Sequence, residues 1–166
     1  RLVPELVAAG HDVRCLARTP AKLADRPWVD DVEVVEGDVL DPDSLDRAMD
    51  GIDAAYYLVH AMDGEGDFRD RDRRAARAFR EAAARAGVTR LVYLGGLGRE
   101  EGGRLSEHLA SRHEVGRVLA DGPVPVTELR AAIIIGSGSA SFEMLRNLVD
   151  VLPVMVTPRW VSTRCQ

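Results

Sequence analysis

Apolar residues recur along this chain with two alternating periods. Leu2, Val3, Leu6 and Val7 fall at helical spacing, and Gly10 stands where a left-handed helix stop belongs. Val13, Cys15, Leu16 and Ala17 then make a short apolar run, interrupted by Arg14, which predicts a strand around 12–18. One short helical turn follows over 20–24, and VEVVE predicts a second strand over 32–36. Residues 42–49 predict a short helix capped by Asp41 with Pro42 in its first turn. AAYYLV predicts a third strand over 54–59. The longest helix is expected over 67–86, capped by Asp67, with Phe68, Ala75, Ala76, Phe79, Ala82, Ala83 and Ala86 on one face and Gly87 as its stop. RLVYL predicts a fourth strand over 90–94, residues 105–120 a helix, and VTELRAAIII a fifth strand over 126–135. A last helix is expected over 141–151, ending at Pro153.

Strands that alternate with helices over connections of this length predict a mostly parallel sheet covered on both faces. The near-continuous apolar strands agree. The fold class expected is therefore α/β, a doubly wound Rossmann-type parallel sheet. In the common doubly wound order the first strand lies centrally, between the second and the fourth. The opening helix of this chain corresponds to the crossover that leaves that strand. The sheet is thus expected to lack its first, central strand and its glycine-rich turn, and the chain to be part of a longer protein. Residues 1–153 are expected to form a partial dinucleotide-binding domain, and residues 154–166, with Pro158-Arg159-Trp160-Val161, to begin a further element.

The 166 residues suffice for one domain with a real core. A net charge of −5 argues against a general nucleic-acid binder. No apolar run approaches the roughly 20 residues that span a bilayer. Cys15 and Cys165 lie far apart in sequence, and a free thiol at Cys15 suits a reducing, cytoplasmic compartment.

Candidate chemistry sits at the strand tips, where doubly wound sheets bind ligands. Arg18 ends the first strand, with Lys22 one turn on; a basic residue there suits a ribose 2′-phosphate, and the plain alternative is two solvated cations. Gly37-Asp38-Val39 follows the second strand; the Asp38 carboxylate can accept from an adenine amino group, or simply close an Asx-type turn. His60 opens the polar loop HAMDGEGD, at the place of a loop over a cofactor or of an ordinary surface loop. Gly95-Gly96 at the tip of the fourth strand allow close approach of a ligand or merely a flexible exit. His108 and Arg112 share a helix face, either as an acid/base histidine with a basic neighbour or as part of a solvated face. Gly136-Ser137-Gly138-Ser139 follows the fifth strand, where a small-residue loop can line the nicotinamide end of a site or only connect two elements.

These segments in this order resemble the short-chain dehydrogenase/reductase superfamily, and more closely its atypical, NmrA-like NAD(P)-binding branch. LVPELVAAGHDVRCLAR, VEVVEGDVLDPDSL, AAYYLVHAM, RLVYLGGLG, LSEHLASRHEVGRVL, VTELRAAIIIGSGSASFEML and LPVMVTPRWV carry the likeness, over most of the chain. The resemblance implies a Rossmann fold and a dinucleotide, NADP by the Arg18 reading with NAD as the alternative. It implies a small carbonyl or quinone-like substrate for an oxidoreductase, or a regulated protein partner for a non-catalytic dinucleotide sensor. The family's GxxGxxG turn belongs before the opening helix and is not in this sequence. The serine, tyrosine and lysine of the usual reductase triad fall on Gly96, His108 and Arg112. The usual mechanism therefore does not carry over, and His108 is the remaining candidate for moving a proton.

Overall fold

The computed structural model describes residues 1–59, 68–98, 106–132, 140–152 and 154. Among these residues five strands and five α-helices follow in order: α1 (Leu2–Ala8), β1 (Arg14–Ala17), β2 (Glu33–Glu36), α2 (Pro42–Met49), β3 (Ala54–Tyr57), α3 (Phe68–Ala86), β4 (Arg90–Gly96), α4 (Glu107–Ala120), β5 (Val126–Ala131) and α5 (Ala140–Val151). Short 3₁₀ turns occupy Pro20–Leu23 and Val29–Asp31. Every strand pair is parallel.

Local chemistry explains the boundaries. Gly10 takes φ +83°; its N–H donates to Val7 O (2.9 Å) and the His11 N–H to Leu6 O (3.1 Å). Those two bonds are the Schellman pattern, and they turn the chain from α1 into β1. The Asp41 side chain accepts from Asp43 N, as expected of its cap. The fourth helix starts two residues later than its sequence pattern predicts, because the Ser106 hydroxyl accepts from Leu109 N and caps it there. The fourth strand runs on through Gly95 and Gly96, which pair with Arg130 and Ala131 of β5. The fifth strand is shorter than expected, ending at Ala131; residues 133–135 lie outside the described residues, as do Asp67, Cys165 and residues 155–166.

The sheet is in two pieces. β1 pairs with β2, and β3–β4–β5 form a three-stranded unit. Helix α2 joins them on one side. Arg14, the first residue of β1, donates through Nη1 to Ala48 O (3.1 Å) and Asp50 O (2.6 Å) at the end of α2, while its Nε binds Glu33 (2.7 Å) across the pair. The core lies between the three-stranded unit and helices α2, α3 and α4. Leu45, Tyr57, Ala76, Ala82, Ala83, Leu91 and Leu119 are almost wholly buried there. Phe79 meets Tyr57 edge-on at 4.9 Å. The expected face of α3 is the buried one, except that Phe68 is half-buried and Ala86 exposed. Complete cover on both faces is not observed. Tyr56 and Leu58 are exposed, β2 and β5 keep exposed residues, and Cys15 is half-buried. Outer strands and uncovered faces keep contact with solvent.

Candidate functional site

The C-terminal ends of β1 and β2 bring three expected residues together. Arg18 comes directly after β1 and is exposed, and its guanidinium has no hydrogen bond or ion pair among the described residues. Asp38 follows β2. Its Oδ1 accepts from Leu40 N (2.9 Å), the Asx-type turn that was the plain alternative. Its other carboxylate oxygen makes no bond among the described residues. Val39 is half-buried and packs on the core. Arg18, Gly37, Asp38 and Val39 all line one cavity of about 1130 Å³, which also reaches Leu58 and Val59 beyond β3. Lys22 lies in the adjoining 3₁₀ turn, exposed, and is not part of that lining.

The tip of β2 is held by a residue that the sequence reading passed over. The buried Ser44 hydroxyl accepts from Asp38 N (3.0 Å) and lies within donating distance of Asp38 O (2.8 Å) and Asp41 O (3.0 Å). Gly37 is required by this latch: a Cβ there would stand 2.5 Å from Ser44 Cβ and 2.8 Å from Leu16 Cδ1. Its lack of a side chain serves the approach of α2 rather than leaving an open gap.

A second group forms between β4 and α4, away from that cavity. Arg112 donates to Leu94 O and lies over the Tyr93 ring at 5.8 Å. The Tyr93 hydroxyl donates to Arg112 O (2.9 Å). A Cβ on Gly95 would meet Glu128 Oε1, and one on Gly96 would meet Leu109 Cδ1. These glycines make room for the protein's own side chains. His108 is exposed on the first turn of α4, with Phe68 5.8 Å away ring to ring. His60 and Gly136 lie outside the described residues.

Four buried polar residues had no role assigned from the sequence. The Ser111 hydroxyl donates to Asp72 (3.0 Å), both buried between α3 and α4. His113 bonds through Nε2 to Gly96 O (3.1 Å); because a carbonyl only accepts, that nitrogen carries the proton. Tyr57 is the fourth, with a hydroxyl that is buried without a partner among the described residues. Burial, with the Asp72 and Tyr93 charges behind it, raises the Tyr57 pKa well above its ordinary value. Burial also pushes Tyr93 up to about 12, with Arg112 opposing and Glu128 and Asp72 reinforcing the shift. Asp72 had a readable signal. It precedes Ala75, Ala76 and Phe79 by three, four and seven positions, which puts a carboxylate on the apolar face.

Comparison with known proteins gives this arrangement its class. Residues 1–131 match the profile of the NAD(P)H-binding family. The chain belongs to that family. It is 33% identical over 102 residues to a 3 beta-hydroxysteroid dehydrogenase/Delta 5-->4-isomerase of Mycobacterium tuberculosis, covering 55% of this chain and 27% of that protein. Among solved structures, the triphenylmethane reductase of Citrobacter sp. complexed with NADP(H) superposes with a TM-score of 0.66 at 22% identity, over 90% of this chain and 50% of that one. The Bordetella bronchiseptica enzyme WbmG, in complex with NAD and UDP, gives 0.65 at 21% identity, over 81% and 49%. An NADPH-dependent quinone oxidoreductase of Escherichia coli gives 0.61 at 21% identity, over 77% and 43%. The chain thus spans about a quarter of the curated relative and about half of these structures. It is a domain of the NAD(P)H-binding family with a Rossmann-type fold. Among the described residues no helix is long and apolar enough to cross a membrane.

The residues at the β1 and β2 tips fit the adenosine half of such a dinucleotide. An exposed guanidinium and a half-engaged carboxylate stand at one cavity mouth, at the carboxyl ends of parallel strands.

Proposed function

We propose that this domain binds NADP(H) in preference to NAD(H), with Arg18 receiving the ribose 2′-phosphate. The carrying observation is the Arg18 guanidinium, exposed and unengaged among the described residues, beside Asp38 at the end of a parallel strand pair. A guanidinium offers a phosphate two parallel N–H donors, and Lys22 adds a second positive charge. Asp38 would accept from the adenine amino group, and Val39 beside it would contact the adenosine half. His60, Gly95, Gly96, Arg112 and Gly136 are the further cofactor candidates from the sequence; of these, Gly95, Gly96 and Arg112 are taken up by Glu128, Leu109 and the Leu94 carbonyl, which leaves His60 and Gly136 for that role in this reading. The dinucleotide supplies hydride chemistry when bound; the protein's part is to orient it and to handle protons.

The parent activity in this reading is an oxidoreductase acting on a small carbonyl or quinone-like compound in the cytoplasm. His108, exposed at the start of α4, is the proton-moving group in this reading. A specific observation favours a second reading, a non-catalytic sensor of the NmrA-like kind that controls a protein partner. Gly96 offers no hydroxyl where reductases have serine. Arg112 is committed to the Leu94 carbonyl and the Tyr93 ring instead of a neighbouring proton donor.

Two measurements test these readings. The chain should bind adenosine 2′,5′-bisphosphate more tightly than adenosine 5′-monophosphate. Arg18→Ala should remove about 1–3 kcal/mol of that advantage, or roughly 5–150-fold, while leaving the monophosphate affinity in place. Equal losses for both ligands would refute the role of Arg18. NADPH consumption over a carbonyl and quinone panel separates enzyme from sensor. Turnover abolished by His108→Ala would exclude the sensor, and tight NADPH binding without turnover on any compound would exclude the reductase.

A further inference from the structure

The strand tips differ in what they leave open. At the ends of β1 and β2, the Arg18 guanidinium and one Asp38 carboxylate oxygen have no bond among the described residues, and both side chains line the cavity. At the end of β4, helix α4 lays three side chains over the strand. Leu109, Arg112 and His113 share one face of α4 at i, i+3 and i+4. Leu109 Cδ1 lies against the place where a Gly96 Cβ would stand, with Arg112 Cδ 3.6 Å and Nε 3.8 Å from that point. The buried His113 ring donates to Gly96 O (3.1 Å). Glu128 fills the corresponding space at Gly95. On the β5 side both glycines are in register with Arg130 and Ala131, and the Leu97 N–H donates to Ala131 O (2.8 Å).

Arg112 is pinned from both ends. Its guanidinium donates to Leu94 O and lies over the Tyr93 ring, while its own carbonyl accepts from the Tyr93 hydroxyl (2.9 Å). Swinging the guanidinium outward would give up both of its contacts. Among the described residues, none of β4 or α4 lines the cavity at Arg18. The adenosine half of a dinucleotide therefore meets free donors and acceptors, whereas a nicotinamide half laid on β4 meets side chains already in place.

We infer that this domain reads only the phosphoadenosine end of the dinucleotide and is blind to the redox state of the nicotinamide ring. The inference rests on the nucleotide reading of Arg18 and takes that reading in its sensor form. NADPH and its oxidised form differ only in the ring. A site that makes no contact with the ring has no difference in affinity with which to tell them apart. The quantity sensed is then the total concentration of 2′-phosphorylated adenosine dinucleotide, not the ratio of reduced to oxidised. The ligand class widens accordingly to adenosine phosphorylated at both the 2′ and 5′ positions. Leu109 and Arg112 set this restriction, because they occupy the tip of β4 themselves.

Titration calorimetry of the chain with oxidised NADP, NADPH and adenosine 2′,5′-bisphosphate tests this, with hydrogen exchange followed by mass spectrometry on each saturated complex. The three dissociation constants should agree within about threefold, and Arg18→Ala should weaken all three ligands by the same factor. Each ligand should protect the amides of residues 37–41 and leave exchange over 94–97 and 107–113 as it is in the free chain. NADPH binding at least about tenfold more tightly than the bisphosphate, with added protection over 94–97 or 107–113, would overturn the inference and leave the Arg18 reading standing. A difference of that size between NADPH and its oxidised form would overturn it equally. Ligands that leave residues 37–41 unprotected, or whose affinities survive Arg18→Ala, would overturn the Arg18 reading and this inference with it.

Discussion

Replacing Ser44 with alanine tests whether the β2 tip, and with it the adenosine side of the site, depends on one buried hydroxyl. Ser44 is wholly buried, and its Oγ lies 3.0 Å from Asp38 N, 2.8 Å from Asp38 O and 3.0 Å from Asp41 O. A hydroxyl has one proton, so it donates to one of those carbonyls at a time and accepts from the Asp38 amide. Alanine removes both bonds and leaves the Asp38 N–H without its acceptor in a half-buried place. An unmet backbone donor of this kind costs about 1–3 kcal/mol. For a chain of this size, about 2–4 °C of melting temperature accompanies each kcal/mol, so the loss is about 2–12 °C. Urea unfolding should move its midpoint without changing its slope, because the surface exposed on unfolding is the same. The damage should also be local. The turn in which Asp38 accepts from Leu40 N loses its anchor on α2, so adenosine 5′-monophosphate should bind more weakly. A Ser44→Ala chain with the parent's melting temperature and nucleotide affinity would refute the latch.

Two further outcomes follow from the core. Phe79→Ala removes a ring that is 6% exposed and packed edge-on against Tyr57, and should cost about 3–5 kcal/mol by denaturant unfolding; a loss below 1 kcal/mol would show that the neighbouring cavity lets the core close up. Tyr93 is raised to about 12 by burial, and Tyr57 is raised by burial as well. Their neutral forms therefore contribute stability that is complete below the ordinary tyrosine value near 10 and is lost as pH rises through 12. Denaturant midpoints should hold up to pH 10 and fall steeply above it. Both phenols titrating near pH 10 with the fold intact would contradict this.

The element order was legible because its signals are local. The Gly10 stop, the Asp41 cap and the apolar face of α3 each depend on residues within two turns of one another, and each stands where its pattern puts it. The strand-tip location of Arg18 and Asp38 was legible for the same reason. The uses of the glycines were not. Gly37, Gly95 and Gly96 read as places for a ligand, yet in the fold they admit Ser44, Glu128 and Leu109, from elements up to dozens of residues away in sequence.

What the sequence determined by itself is the run of alternating strands and helices, their parallel sense, and a basic residue at the end of β1. Periodicity and capping are short-range, so neighbouring residues suffice to specify them. Only the tertiary structure decided which polar groups are engaged. Arg112 is turned inward to Leu94, Asp72 meets Ser111 inside the core, and Arg18 is left exposed without a bond among the described residues. Those outcomes depend on pairings between distant segments, and a side chain's own neighbours in sequence carry no record of the partner that reaches it across the fold.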